Sequence, residues 1–131
     1  MPKTDGGFLS ALSLSLKRDA PVKLVVRESA AVAVVVRRSG GEEVLLIRRA
    51  VRAGDPWSDQ VALPGGRVGS TDGSFEDAAR RETLEEVGID LSYPGASVFL
   101  GYMDSLKSRT EVTVVPCVFS LAKEATVVLN E

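Results

Sequence analysis

A double glycine followed at a fixed distance by a carboxylate-rich helix constrains this chain more than any other feature. The stretch runs from Gly65-Gly66-Arg67 through Asp72 to Arg81-Glu82-Thr83-Leu84-Glu85-Glu86-Val87-Gly88-Ile89. Ser74, with Asp77 three residues on, reads as an N-cap with an acidic partner. Most residues from Ala78 to Glu85 are good helix formers, and Gly88 supplies a C-terminal stop. The double glycine ahead of the helix is expected to be a turn. At about 100° per residue, Glu82, Glu85 and Glu86 fall within an arc of about 100°. Leu84 and Val87 point the other way, toward an expected core.

Like charges at this spacing oppose helix formation by roughly a few tenths of a kcal/mol per pair. A merely solvated face would usually dilute them with lysines, and none occurs between residues 68 and 106. Oxygen-only clusters suit hard divalent cations such as Mg²⁺ or Mn²⁺. The triplet alone is equally compatible with an acidic surface helix. Its fixed distance from the double glycine breaks the tie.

With that spacing the chain resembles the Nudix hydrolases, whose box reads G-x5-E-x7-R-E-U-x-E-E-x-G-U, with U apolar. Gly66 matches the first glycine. Arg81, Glu82, Glu85, Glu86, Gly88 and Ile89 match the second half, and Thr83 stands at a U position. The middle departs: six residues on from Gly66 stands Asp72 instead of Glu, and the gap to Arg81 is one residue longer. This G-x5-D-x8-R-E form is similar to the branch containing the coenzyme A pyrophosphatases. Upstream, Ala50 and Leu63 stand where that branch has Ser and Phe.

The resemblance implies an α/β fold, an α/β/α sandwich with a mixed sheet and a catalytic loop–helix–loop. It implies Mg²⁺ or Mn²⁺ held by Glu82, Glu85 and Glu86, with the Gly65 carbonyl as a further ligand. One of these carboxylates would serve as general base. Arg81 would orient Glu82 or Glu86, because ligating carboxylates are normally held by hydrogen bonds. Asp72 would orient the loop or bind an outer metal water, or Asp72-Gly73 is only a turn. Arg48, Arg49 and Arg52, and Arg67 beside Gly66, are candidate phosphate partners, since a guanidinium fork matches a phosphate. Arg49 aligns with the arginine after the Leu-Leu pair in coenzyme A pyrophosphatases. For Trp57, Asp104 and Glu111 the reading as packing or solvated residues outweighs a functional one.

Length and composition set the outer bounds. At 131 residues the natural reading is one domain over residues 1–131, and 44% hydrophobic with 26% charged residues is ordinary for a soluble globular protein. A net charge of −2 gives no electrostatic case for nucleic acid. There are no histidines, which excludes His-based triads and His-ligated zinc. The single Cys117 rules out an intrachain disulfide, is compatible with a reducing compartment and reads as a buried strand thiol. The longest apolar run, Ala30 to Val36, is too short to span a bilayer. A cytoplasmic protein without membrane contact is the expectation.

Along the chain, Phe8, Leu9, Leu12 and Leu16 keep the spacing of a short amphipathic helix that Pro21 ends. Ala30 to Arg38 reads as a central strand and Glu43 to Arg49 as its return. Ala96 to Met103 and Glu111 to Leu121 read as strands joined by a polar link. Ala125 to Leu129 would begin another. Chains of this resemblance usually continue into a further strand and a closing helix. The expectation is therefore a truncated C-terminus, or a sheet completed by a partner chain as a homodimer.

The expected activity is metal-dependent hydrolysis of the diphosphate linkage in a nucleoside diphosphate derivative, with coenzyme A or its derivatives first. ADP-ribose, dinucleotides and damaged nucleotides are alternatives. A Nudix-fold module that senses a nucleotide without cleaving it is the rival of another class. That rival predicts erosion of Glu82, Glu85 and Glu86, and the set is intact.

Overall fold

The computed structural model describes residues 11–38, 41–48, 51, 53–54 and 59–122. The valine-rich run folds as the long strand β1 (Ser29–Arg38). It runs parallel to β8 (Thr113–Leu121), from Ser29 opposite Thr113 to Val36 opposite Ser120. Both strands are rich in β-branched residues, which fit a buried pleated surface. Every other pairing in this sheet is antiparallel: β2 (Glu42–Val44) and β5 (Gly65–Arg67) on β1, β6 (Ser97–Tyr102) and β7 (Leu106–Lys107) on β8. A small second sheet pairs β3 (Ile47–Arg48) with β4 (Val61–Ala62). This is the mixed-sheet α/β architecture expected from the sequence.

The carboxylate helix is α2 (Phe75–Val87), covering one sheet face. Its core side is Phe75, Ala78, Ala79, Thr83 and Val87, facing Ala31, Ala33 and Val35 of β1 and Val115, Cys117 and Phe119 of β8. The caps are those expected. The Ser74 hydroxyl accepts from Asp77 N–H at 3.1 Å, and Gly88 (φ 74°) donates its N–H to the Leu84 carbonyl at 3.0 Å. Cys117 is fully buried, as expected of a strand thiol, and burial pushes its pKa up to about 12.

Several sequence expectations are corrected. The Gly65-Gly66 segment is a strand, not a turn, because lack of side chains lets its backbone lie close to β1. Leu84 is 45% exposed. The helix turns Thr83 inward instead, its hydroxyl satisfied by the Ala79 carbonyl at 2.7 Å. The return strand breaks in two: Leu45 N–H still reaches the Val35 carbonyl at 3.0 Å, and the chain then leaves to pair with β4. The polar link between the last two strands contains β7. Near the N-terminus the helix α1 is seen at 11–15 and ends well before Pro21; Phe8 and Leu9 lie outside the described residues, as does 125–129.

After α1, the chain lies along the outer edge of β6. Lys17 and Tyr102 exchange backbone hydrogen bonds of 2.9 and 2.8 Å. The crossing occurs at a bulge, where Gly101 adopts φ 142° and a Cβ would stand 2.8 Å from the Lys17 carbonyl. No described helix is long and apolar enough to cross a membrane. Gly101→Ala therefore strains the backbone and pushes off the N-terminal segment. It should destabilise the fold by about 1–3 kcal/mol in urea unfolding.

Candidate active site

The site forms where α2 passes over β5. Gly65 N–H donates to Glu86 Oε1 at 3.0 Å. One residue on, the Glu82 carboxylate lies directly against the Gly66 backbone: a Cβ on Gly66 would stand 2.5 Å from Glu82 Oε2. Gly65 is confined from the other side, where a Cβ would meet the Ala31 carbonyl at 2.5 Å. Close approach of backbone thus requires glycine at position 65, whereas a side chain at position 66 would displace the Glu82 carboxylate. Helical spacing explains the match, since residues four apart sit on one face and meet neighbouring residues of a strand below.

Arg81 is the cation at the centre of this face. It grips Asp72 with two hydrogen bonds, Nε to Oδ1 at 3.1 Å and Nη2 to Oδ2 at 2.9 Å. Nη2 also donates to the Arg67 carbonyl at 3.1 Å, and Nη1 reaches Glu82 at 3.1 Å and Glu85 at 3.4 Å. The sequence expectation had Arg81 orienting Glu82 or Glu86. Among its hydrogen bonds is the expected one to Glu82, while the bidentate grip goes to Asp72.

Asp72 orients its loop, as one of its two readings held: Oδ2 accepts from Gly69 N–H at 2.7 Å. The Arg81 guanidinium holds the Asp72 carboxyl below the usual carboxylate range, chiefly through the hydrogen bond, with burial opposing it. The arginine is correspondingly held in its charged form by Asp72.

The three glutamates differ in setting. The Glu82 side chain is 16% exposed and that of Glu85 56%, with Glu86 between buried and open. They share the carboxylate face, but among the described residues no three acidic, His or Cys side chains form a group drawn together around one point. Oxygen donors of this kind are the type that suits a hard divalent ion.

The other candidates lie apart from this centre or are engaged elsewhere. Arg67 donates Nη1 to the Arg27 carbonyl at 2.9 Å, bracing a turn in which Arg27 has φ 78°. Arg48, 70% exposed on β3, pairs with Asp59 at 3.5 Å. Asp104 pairs with Lys17 at 3.3 Å, and Glu111 is exposed in a turn at φ 66°. Arg49, Arg52 and Trp57 lie outside the described residues. The sequence reading passed over Glu76, which accepts a hydrogen bond from the Tyr102 hydroxyl, and Arg80, which lies over the Phe99 and Phe119 rings at 6.0 and 5.4 Å. Arg80 also pairs with Asp77 at 3.2 Å, three residues back on the same helix; the contacts of Glu76 and Arg80 across the fold are not legible from local spacing.

The NUDIX domain matches residues 27–130, and the chain belongs to that family. An uncharacterised Nudix hydrolase, NudL, from Salmonella dublin is 38% identical over 111 residues, covering 85% of this chain and 55% of the relative. An uncharacterised protein of Schizosaccharomyces pombe is 54% identical over 61 residues, 47% of this chain and 18% of that protein. The chain thus spans about half or less of the length of these relatives. Among solved structures, a C. elegans Ap4A hydrolase superposes with a TM-score of 0.63 at 24% identity, over 78% of this chain and 72% of that one. The MutT protein of Methanosarcina mazei superposes with a TM-score of 0.52 at 28% identity, over 81% and 73%.

The Asp72–Arg81 pair gives a signed pH dependence. A carboxyl whose pKa is depressed on folding stabilises the fold above its unfolded pKa, and that stability is lost as pH falls through the folded value. Wild type should thus lose stability more steeply than Asp72→Asn as pH drops below about 4. At pH 7 Asp72→Asn should already be destabilised by about 1–3 kcal/mol. Urea unfolding from pH 7 to 2 checks both; parallel curves would remove the pair from the acid response.

Proposed function

We propose that this chain hydrolyses a phosphoric anhydride bond in a nucleoside diphosphate derivative, with Mg²⁺ or Mn²⁺ as cofactor. The observation that carries the reading is the seating of two glutamates on a double glycine, Glu86 on the Gly65 N–H and Glu82 against the Gly66 backbone. Family membership and the hydrolase relatives support the reaction class.

Glu82, Glu85 and Glu86, with the Gly65 carbonyl, would hold the ion. Once bound, it neutralises diphosphate charge and acidifies a water. The chain's own residues do the rest. Lack of side chains at Gly65 and Gly66 leaves the backbone open to close approach by a phosphate. Arg81 fixes Glu82 by a hydrogen bond and offsets part of the carboxylate charge, so that an anionic substrate meets less repulsion. One glutamate accepts the proton of the attacking water. The Glu85 side chain is more solvent-exposed than that of Glu82, at 56% against 16%.

Coenzyme A or a derivative is the first substrate to test, supported by the G-x5-D-x8-R-E spacing. ADP-ribose, damaged nucleotides and dinucleotides follow; the last are named for the C. elegans neighbour. The assay is product formation with Mg²⁺ and with Mn²⁺ over these compounds, with products identified by mass in ¹⁸O-labelled water. Metal-dependent cleavage of coenzyme A to phosphopantetheine supports reaction and substrate together. Cleavage of another compound keeps the reaction alone. No turnover with measurable nucleotide binding replaces the hydrolase by a sensing module.

Two variants test the site. Glu86→Gln keeps shape and an acceptor for Gly65 N–H; it should lower turnover about 100-fold or more while stability stays within about 1 kcal/mol of wild type. Gly66→Ala forces the Glu82 carboxylate from its seat and should lose about 100-fold in kcat, as expected for a misplacement near 1 Å. Wild-type turnover in either variant would move the site elsewhere.

A further inference from the structure

We propose that the hydrogen bond between Tyr102 and Glu76 is a positioning contact that fixes α2 along its axis on the sheet, and so sets Glu82 and Glu86 on the double glycine. Its kinetic consequence rests on the hydrolase reading, whereas its structural consequence does not.

The need for such a contact arises from the helix–sheet interface. Between the larger Phe75 and Val87 at its two ends, α2 buries the small residues Ala78 and Ala79 in the same core that holds Ala31 and Ala33 of β1. Alanine surfaces have shallow ridges and discriminate weakly between neighbouring settings of a helix. The seats at Gly65 and Gly66 include a hydrogen bond from Gly65 N–H and a close contact at Gly66, both of which are sensitive to small shifts of the helix. The Asp72–Arg81 grip ties the helix to the loop just before it, and Arg81 adds one tie to the sheet through the Arg67 carbonyl of β5 at 3.1 Å, in the middle of the helix and away from its first turn.

Tyr102 is a suitable fixed post. It is buried, lies opposite Cys117 of β8, and has its ring edge-on to Phe99 at a centroid distance of 5.0 Å. Its backbone N–H and carbonyl are both taken by Lys17, at 2.8 and 2.9 Å. Burial and the facing carboxylate push the phenol's ionisation upward, so it remains a donor. Glu76, in the first turn of α2, supplies the acceptor. Arg80, one turn on, lies over the Phe99 and Phe119 rings and steadies the same end. From Glu76 the helix carries the setting about 9 Å to Glu82 and about 15 Å to Glu86, at ~1.5 Å per residue. A partly buried polar pair anchored on a buried ring is satisfied in one geometry, and fixing register is the best-attested use of such groups.

The test compares Tyr102→Phe, Glu76→Ala and Glu76→Gln with wild type, by amide hydrogen exchange and by steady-state kinetics. The informative amide is Gly65, held by Glu86; the amides of β1 and β8 report general stability. Tyr102→Phe and Glu76→Ala should speed Gly65 exchange about tenfold with the β1 and β8 amides unchanged. They should lower kcat about tenfold or more with KM within about twofold. Glu76→Gln keeps an acceptor for the phenol and should stay within about twofold of wild type in both. The proposal is overturned if Gly65 stays as protected in Tyr102→Phe as in wild type, or if all these amides speed up together. Should Tyr102→Phe fail to fold, Glu76→Ala against Glu76→Gln decides by the same readout. Absence of turnover in wild type would remove the hydrolase reading, and the Gly65 amide would still decide this one.

Discussion

Two residues without side chains, wedged between a central strand and a carboxylate helix, set the terms for everything around them. Gly65 lies so close to β1 that a Cβ would stand 2.5 Å from the Ala31 carbonyl, and Gly66 lies equally close to Glu82. Glycines weaken a strand, through entropy and the loss of packing. The segment is held instead by its flanks. Ala33 N–H donates to the Pro64 carbonyl at 2.8 Å, and Val68 N–H to the Ser29 carbonyl at 2.9 Å. A strand stabilised from both ends leaves its middle free of side chains, and there carboxylates can touch backbone.

Around those glycines the electrostatics divide labour among four acids and one base. Asp72, with 5% of its side chain exposed, takes the bidentate grip of Arg81. Burial alone would raise the Asp72 pKa; the guanidinium more than offsets it. Glu82 receives one hydrogen bond from the same cation, and Glu85 longer ones. The tightest grip of the guanidinium thus goes to the acid in the loop, and its looser contacts go to two acids on the helix. Substituting Asp for Glu at position 72, with one more residue in the loop, still delivers a carboxylate to Arg81.

The pattern of what could be read from the sequence follows from the range of the forces. Helix caps, the N-terminal stop at Ser74 and the left-handed Gly88 are local, and they were legible. So were the two long valine-rich strands and the burial of Cys117. The co-facing of Glu82, Glu85 and Glu86 follows from helical spacing alone. Which side of the helix faces the sheet does not. Leu84 is the more hydrophobic residue, yet Thr83 is buried, in the same helix setting that brings Glu86 to the Gly65 N–H of β5. The double glycine read as a turn because its strand partners lie over thirty residues away, and the Asp72–Arg81 and Glu76–Tyr102 pairings are likewise set by tertiary approach.

The same approach explains the small residues of the helix's core face. Glutamate is a short tether: for Glu86 to accept from a backbone N–H at 3.0 Å, the axis of α2 must run close to the sheet that contains β5. Interaxial and helix–sheet distances are set by the side chains at the contact. The small Ala78 and Ala79, buried in one core with Ala31 and Ala33, let the helix lie low, whereas the larger Phe75 and Val87 stand at its ends. A bulkier residue at the middle would lift the helix and separate both glutamates from their glycines, even if its own burial were favourable. Close contact at the centre leaves little side-chain relief to fix the helix along its axis, so polar contacts take over that task. Packing sets the height of the helix, and hydrogen bonds set its position.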